Sequence, residues 1–400
     1  MIKTYKYKLY QADHNRALHD LVNTACWVYN HCIRLHKRYY RLYKKTLNTN
    51  QLQKHIAKLR KRNKHWMKLN SQTVQDITER IEKGYKLFFN NFKKNKTKIT
   101  KKGKPKKKRF NPPGFKKRIK YKSITFKQTG FKILLDNKIK IGKKLYKYWK
   151  SREGNSKIKR LVVKRDKLGD FYIFLTVEEE LKSKPSKTGK IAGCDFGLKT
   201  FLTLSDGKKI ESPLFFKQSA IRVKQAGRNL SSKKKGSNNR RKARQNLFRV
   251  YRKIENQRND FQFKLANKLA NEYDELYFED LNLDGMKRLW GRKVSDLAFD
   301  KFLRVLEYKT IEKGKRLGYI NRFYPSTKLC FECSCVNENL TLEDREWTCP
   351  ACGAFHDRDH NAAKNILRAG TSAPERDVTA GVSRKRNVKL RCRRQESPLL

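Results

Sequence analysis

The chain has 400 residues, too many for one ordinary hydrophobic core, so two or three domains are expected. Its 99 Lys and Arg against 37 Asp and Glu give a net charge of +62, self-repulsion that a folded chain tolerates when a polyanion neutralises it. That excess points to nucleic acid with many phosphate contacts, a long duplex or a structured RNA, and no run reaches the roughly 18 apolar residues of a membrane span.

The first residues, "MIKTYKYKLYQAD", interleave lysine with apolar positions, a strand pattern and not a signal peptide. A cytoplasmic protein is therefore expected, its nine cysteines serving as metal ligands or buried residues and not as disulfides. From Asp13, a candidate N-cap, the period changes: Leu18, Val22, Ala25, Tyr29, Cys32 and Leu35 recur at helical spacing. A second helix is predicted from about Ser71 to Phe92, along Val74, Ile77, Ile81, Phe88 and Phe92. Residues 93–122 hold 16 Lys and Arg and no acid, with Gly103, Pro105, Pro112 and Pro113 against regular structure, and read as a polycationic linker.

"GFKILLDNKIKI" and "RLVVKRDKLGDFYIFLTVEE" each predict a hairpin, turning at Asp136-Asn137 and at Lys167-Leu168-Gly169. With the N-terminal strand they suggest a small barrel interrupted by the helical segment, closed by a linker near residue 185. An alternating α/β region follows. "KIAGCDFGLKTFLTLSDGKKI" predicts a strand pair turning at Asp206-Gly207. A basic helical stretch from Phe215 to about Asn271 breaks within "SSKKKGSNNRRKAR"; "YDELYFEDLNL" supplies a short buried strand, and a helix runs from about Ser295 to Gly314. "YINRFYPSTKLC" leads into the cysteines, "DHNAAKNILRAG" is the last helix, and the tail from about Thr371 is expected to be disordered.

Cys330-x₂-Cys333 and Cys349-x₂-Cys352, fifteen residues apart, have the spacing of a four-thiolate zinc ribbon, with "LTLEDREWTC" as the hairpin that brings the pairs together and Cys335 as a spectator. Four thiolates leave no position for water, so that zinc is structural. Chemistry is sought in three acids: Asp195 in an apolar strand, Glu279 ending another, Asp359 at a helix start. A carboxylate inside an apolar strand is costly unless it is paired or binds a metal. If they converge, they form a site for one or two Mg²⁺, which activates water and stabilises a leaving oxygen in phosphodiester hydrolysis. Taken singly, Asp359 or Asp357 reads equally as the N-cap of the last helix, Asp195 as a turn residue, and Glu279 or Asp280 as the partner of a lysine.

"GCDFGLKTFLTLSDG", "NRRKARQNLFRVYRKIENQRNDFQFKLANKLA", "LYFEDLNLDGM", "YPSTKLCFEC", "CPACG" and "HDRDHNAAKNIL", in this order between about residues 188 and 368, resemble the signatures of TnpB, the OrfB-type transposon proteins related to type V CRISPR nucleases. The resemblance, extended by "ACWVYNHCIRLHKRY", implies a multidomain α/β and α+β chain. Residues 1–12 and 123–185 would form a wedge β-barrel, 13–122 an inserted helical recognition segment, 186–325 and 356–370 a RuvC-like, RNase H-type nuclease domain, 326–355 a zinc-ribbon target-nucleic-acid-binding insert, and 371–400 a tail. It implies a transposon-end guide RNA, double-stranded target DNA beside a short adjacent motif, and cleavage with two Mg²⁺ and one structural Zn²⁺.

Carried over by motif, Asp195, Glu279 and Asp359 are the catalytic, magnesium-holding acids, which resolves Asp357 against Asp359. Arg358 and His356 would flank them. Arg222, Arg228, Lys233, Arg240, Arg241 and Arg244 would touch phosphates between the first two acids, and Gln72 and Gln75 would read adenine edges. Three functions share these parts: an RNA-guided DNA endonuclease, a non-cleaving RNA-guided repressor, and a DNA-strand transferase. The intact acid set and the ribbon between the second and third acids favour the endonuclease.

Overall fold

The computed structural model describes residues 2–12, 15–93, 111–151, 157–179, 187–281, 291, 296–341 and 343–372, and the backbone of 97–99 and 105–107. The chain divides at residues 180/181 into two compact units. The expected N-cap Asp13, the linker near residue 185 and the tail beyond residue 372 lie outside the described residues, as does part of the basic segment 93–122.

In the first unit, β1 (Ile2–Lys8), β4 (Ser123–Phe126), β8 (Lys157–Arg165) and β9 (Phe171–Glu178) form an antiparallel sheet in the order β1-β9-β8-β4. Short strands β2 (Thr97–Ile99) and β3 (Pro105–Lys107) pair with each other. A meander of β5 (Phe131–Leu134), β6 (Lys138–Ile141) and β7 (Lys144–Lys147) is a separate sheet, linked to the first by the Leu9–Tyr148 bridge. Both predicted hairpins form. Asp136 and Asn137 take φ of 57° each, and Gly169 φ of 95°, the left-handed values that such turns require. Strand pairing among the described residues of this unit makes three sheets, of four, three and two strands, and the closed ring of the expected barrel is not shown.

Helices α1 (Asn15–Tyr43) and α4 (Ser71–Lys93) form where the stripes predict, and bury Leu18, Val22, Ile33, Ile77 and Ile81 in one core with Ile124, Val163 and Ile173 of the sheet. Helix α2 (Thr49–Arg62) stands between them in sequence, followed by the single turn α3 (Lys64–Met67). Asn48 and Gln51 close a capping box at its start, and only Leu52 and Ile56 of α2 are buried.

The second unit is built on a five-stranded sheet of β10 (Ile191–Asp195), β11 (Thr200–Leu204), β12 (Lys209–Glu211), β13 (Glu275–Glu279) and β14 (Arg316–Ile320), in the order β12-β11-β10-β13-β14. β10, β13 and β14 are parallel; β11 runs antiparallel to β10, and β12, antiparallel to β11, returns to the common direction. Strand β14 was not foreseen. The basic helical stretch forms as α5 (Phe215–Gln218), α6 (Ala220–Ser232) and α7 (Asn238–Glu272), with the break at residues 233–237.

Side-chain alternation sorts the two faces. Ala192, Cys194, Leu276 and Phe278 join α7 and the helix Phe299–Glu312 in one core, with Phe201, Phe299 and Phe302 at its centre. Tyr277 instead packs with Ile320 and Ile366, on the side of the final helix, Arg358–Ser372. A side chain at Gly193 would lie 2.2 Å from the Ala363 carbonyl, so this glycine lets the final helix rest directly on β10. No helix among the described residues is long and apolar enough to cross a membrane.

Candidate active site and sulfur cluster

The same alternation aims the acids. Asp195 shares the face of Gly193, and Glu279 that of Tyr277, so both point to the final-helix side. Cys194 pairs with Phe278 across the parallel strands, which places Asp195 and Glu279 side by side at the carboxyl ends of β10 and β13. Asp359 lies in the first turn of the final helix, one turn before Ala363 and thus on the face that rests on β10.

The electrostatics agree. Burial, then the negative charges of Asp359 and Glu279, push the Asp195 carboxyl up to about 7. Burial raises Glu279 to about 7 as well, against the opposing hydrogen bond of the Ser326 hydroxyl. Asp359 is met by guanidiniums, Arg358 at 3.3 Å and Arg345 at 3.5 Å. The helix N-cap is Asp357: its Oδ1 accepts the His360 N–H at 2.9 Å, while Lys209 holds Oδ2 at 2.7 Å. Local sequence left Asp357 and Asp359 equivalent; the structure gives each its own partners.

Three half-buried carboxylates on one face, with the proton affinity of Asp195 and Glu279 raised, suit hard divalent cations, which supply the counter-charge that such a cluster needs. Among the described residues, only Cys330, Cys333, Cys349 and Cys352 bring three or more candidate metal-ligand atoms within 4.8 Å of one another. The three carboxylates stand wider than that.

The sulfur cluster is tight. Cys330 and Cys352 are 3.7 Å apart and Cys333 and Cys349 3.5 Å, close to the roughly 3.8 Å edge of a tetrahedron with 2.3 Å zinc–sulfur bonds. The Cys352 N–H lowers the proton affinity of the Cys349 thiol, while burial raises that of Cys330, as expected of thiols packed close enough to share protons. The hairpin is not the segment preceding Cys349. β15 (Glu346–Thr348) pairs with β16 (Phe355–Asp357), so the second Cys pair sits in its turn. His356, expected beside the acids, faces the sulfurs: its Nε2 is 3.1 Å from Cys330 Sγ and its ring packs on Trp347. Cys335 lies outside the sulfur group.

Among the expected nucleic-acid contacts, Arg222, Arg228, Lys233, Arg241 and Arg244 are exposed on or beside α6 and α7. Arg240 is half-buried and already engaged: one guanidinium nitrogen donates to the Leu230 and Lys233 carbonyls, both at 2.8 Å, and closes the end of α6. Gln72 is likewise engaged, its Oε1 accepting the N–H groups of Lys127, Gln128 and Thr129 at 2.8–3.2 Å; Gln75 is exposed. Sequence reasoning missed Asn361 and Asn365, buried on the final helix and bonded to the segment that opens the ribbon. Their signal was an amide pair at i, i+4 inside an otherwise apolar helix face.

Comparison with known proteins agrees with this arrangement. Residues 174–289, which hold Asp195 and Glu279, match the OrfB_IS605 family model, described as a probable transposase. Residues 299–366, with the cysteines and Asp359, match the Cas12f1-like TNB domain. The chain is similar to TnpB-type proteins over these two stretches. A Streptomyces pristinaespiralis protein, provisionally named an RNA-guided DNA endonuclease, is 40% identical over 215 residues, covering 53% of each chain. The Escherichia coli K12 protein InsQ, with the same provisional name, is 26% identical over 325 residues and 76% of each chain. A TnpB-like protein of Acanthamoeba polyphaga mimivirus is 26% identical over 220 residues, 50% of this chain and 41% of that one. The match thus spans about half the length of the first of these relatives. A solved Cas12f1 in complex with sgRNA and target DNA shares the fold of this chain at a TM-score of 0.54 and 14% identity, over 92% of this chain and 98% of that one.

Proposed function

We propose that the chain is an RNA-guided DNA endonuclease of a prokaryotic insertion sequence, acting in the cytoplasm. It binds a transposon-end guide RNA and cuts double-stranded target DNA beside a short adjacent motif. The observation that carries this reading is the shared direction of Asp195, Glu279 and Asp359, from two strand ends and one helix, next to a four-sulfur cluster. The provisional names of the relatives support it.

In this proposal residues 1–12 and 123–185 are the wedge, 13–122 the recognition segment, 186–325 and 356–370 the nuclease and 326–355 the ribbon. Asp195, between the other two acids, would hold both of two Mg²⁺, with Glu279 and Asp359 on either side. When bound, the ions supply an activated water and neutralise the leaving oxygen. The chain's own part is to keep the acids on one face, with Arg345 and Arg358 orienting Asp359. Zinc belongs at Cys330, Cys333, Cys349 and Cys352.

The test is to purify the protein with its RNA, replace the guide segment and challenge plasmids with Mg²⁺. Cleavage that follows the new guide is expected. Guided binding without cutting would mark a repressor, and strand joining a transferase. Asp195→Ala should abolish cutting, a loss of at least about 10³-fold, and leave RNA binding intact. Undiminished cutting would remove Asp195 from the chemistry.

A further inference from the structure

The final helix grips the ribbon as well as carrying an acid. Asn365, fully buried, donates from Nδ2 to the carbonyls of Ser326 at 2.9 Å and Leu329 at 2.6 Å. Asn361 donates to the Leu329 carbonyl at 2.7 Å and accepts the Phe331 N–H at 3.0 Å. Arg368 lies 4.0 Å over the Phe331 ring and donates to the Phe331 carbonyl. These contacts pin residues 326–331, which end in the first cysteine pair. At the other end of the same segment, the Ser326 side chain lies near enough to Glu279 to oppose the rise in its proton affinity.

The second route out of the sulfur cluster is equally short. β16 runs from the second cysteine pair straight into the final helix, with His356 against Cys330 Sγ. Arg345, beside β15, reaches Asp359, and its carbonyl accepts the Arg358 N–H at 2.8 Å. Both segments leaving the sulfurs therefore end on an acid. A ribbon used only to hold DNA would need neither connection.

We propose that the four-sulfur ribbon is a splint for the acid site. Zinc at Cys330, Cys333, Cys349 and Cys352 fixes residues 326–331 and β16, and Ser326, Asn361 and Asn365 are positioning residues that pass this order to Glu279 and Asp359. The inference rests on the cation site of the proposed function.

The experiment measures Mn²⁺ binding to the full-length, RNA-free chain by electron paramagnetic resonance, with zinc content and melting temperature followed in the same samples. The component lost in Asp195→Asn defines the acid site. Removing zinc, or Cys352→Ser, should weaken that component about tenfold or more, the usual scale for supports around metal ligands. Ser326→Ala should weaken it in the same direction with zinc and melting unchanged, which a merely structural role would not do, and Asn365→Ala should weaken it with zinc unchanged and a lower melting temperature, since two buried carbonyls lose their donor. Cys335→Ser should leave it as it was. Binding within about twofold of the parent in the zinc-free chain and in both of those variants overturns the splint. A parent without any Asp195-dependent component would instead remove the cation site, a failure of the nuclease reading itself.

Discussion

Asp195 carries the most perturbed of the three carboxyls by environment: burial and two neighbouring negative charges lift it from an ordinary 3.8 to about 7. As pH rises, the unfolded chain therefore releases this proton first, and the folded state falls behind. The stability that the protonated carboxyl contributes is whole below about pH 4, declines up to about 7 and is flat above that, with Glu279 adding a loss in the same window. Metal-free protein should accordingly melt at a lower temperature at about pH 8 than at about pH 5, by a larger margin than Asp195→Asn, and Mg²⁺ should restore the difference at the higher pH. Calorimetry on the two chains checks this. Identical slopes would place the Asp195 carboxyl in water. The residue scale was also where sequence reached furthest, since a charged group in "IAGCDFG" or "LYFED" is conspicuous against its apolar neighbours. Gln72 and Arg240 looked equally free in sequence, and what engaged them was three backbone N–H groups 55–57 residues away for the first and a helix end for the second.

At the scale of elements, the helix-on-strand contact sets the site. Gly193 would place a Cβ 2.2 Å from the Ala363 carbonyl and 2.5 Å from the Leu367 nitrogen, both backbone atoms that no rotamer change can move aside. Gly193→Ala should therefore push the final helix, and Asp359 with it, off β10. A destabilisation of about 1–3 kcal/mol or more is expected, with cutting lost out of proportion to folding. Chemical denaturation and plasmid cleavage on one preparation separate the two effects; a variant that matches the parent in both would refute the close packing. Helices α1 and α4 were legible because each repeats its apolar positions over many turns. Helix α2 was not, because Leu52 and Ile56 are its whole buried stripe amid Lys and Arg. Strand β14 was hidden for the opposite reason: buried between β13 and the packed helices, "RLGYI" has no alternation to read. The convergence of the acids had no local signal either, since parallel pairing of β10 with β13, some 80 residues on, is a property of the topology.

The charge of the whole molecule is a statement about binding, not about folding. If RNA is held by counterion release, each phosphate contact should contribute roughly 0.7–0.9 to the slope of log affinity against log salt, and six to ten contacts should cost about 10³–10⁵ in affinity between 50 and 200 mM salt. Among the basic residues of α6 and α7 expected to meet phosphate, the structure separates exposed ones from Arg240, which is engaged. Arg222, Arg228, Arg241 and Arg244 are exposed and available, so alanine at any one that meets phosphate should lower the slope by about 1 while leaving the melting temperature nearly unchanged. Arg240 is spent on the carbonyls of Leu230 and Lys233, so Arg240→Ala should lower the melting temperature and leave the slope alone. Filter binding across a salt series, with thermal melts of the same five variants, distinguishes the classes. An Arg240→Ala chain with a shallower slope and unaltered melting would mean that its guanidinium leaves the α6 end for the nucleic acid, and that the free-state hydrogen bonds do not predict which cations hold RNA.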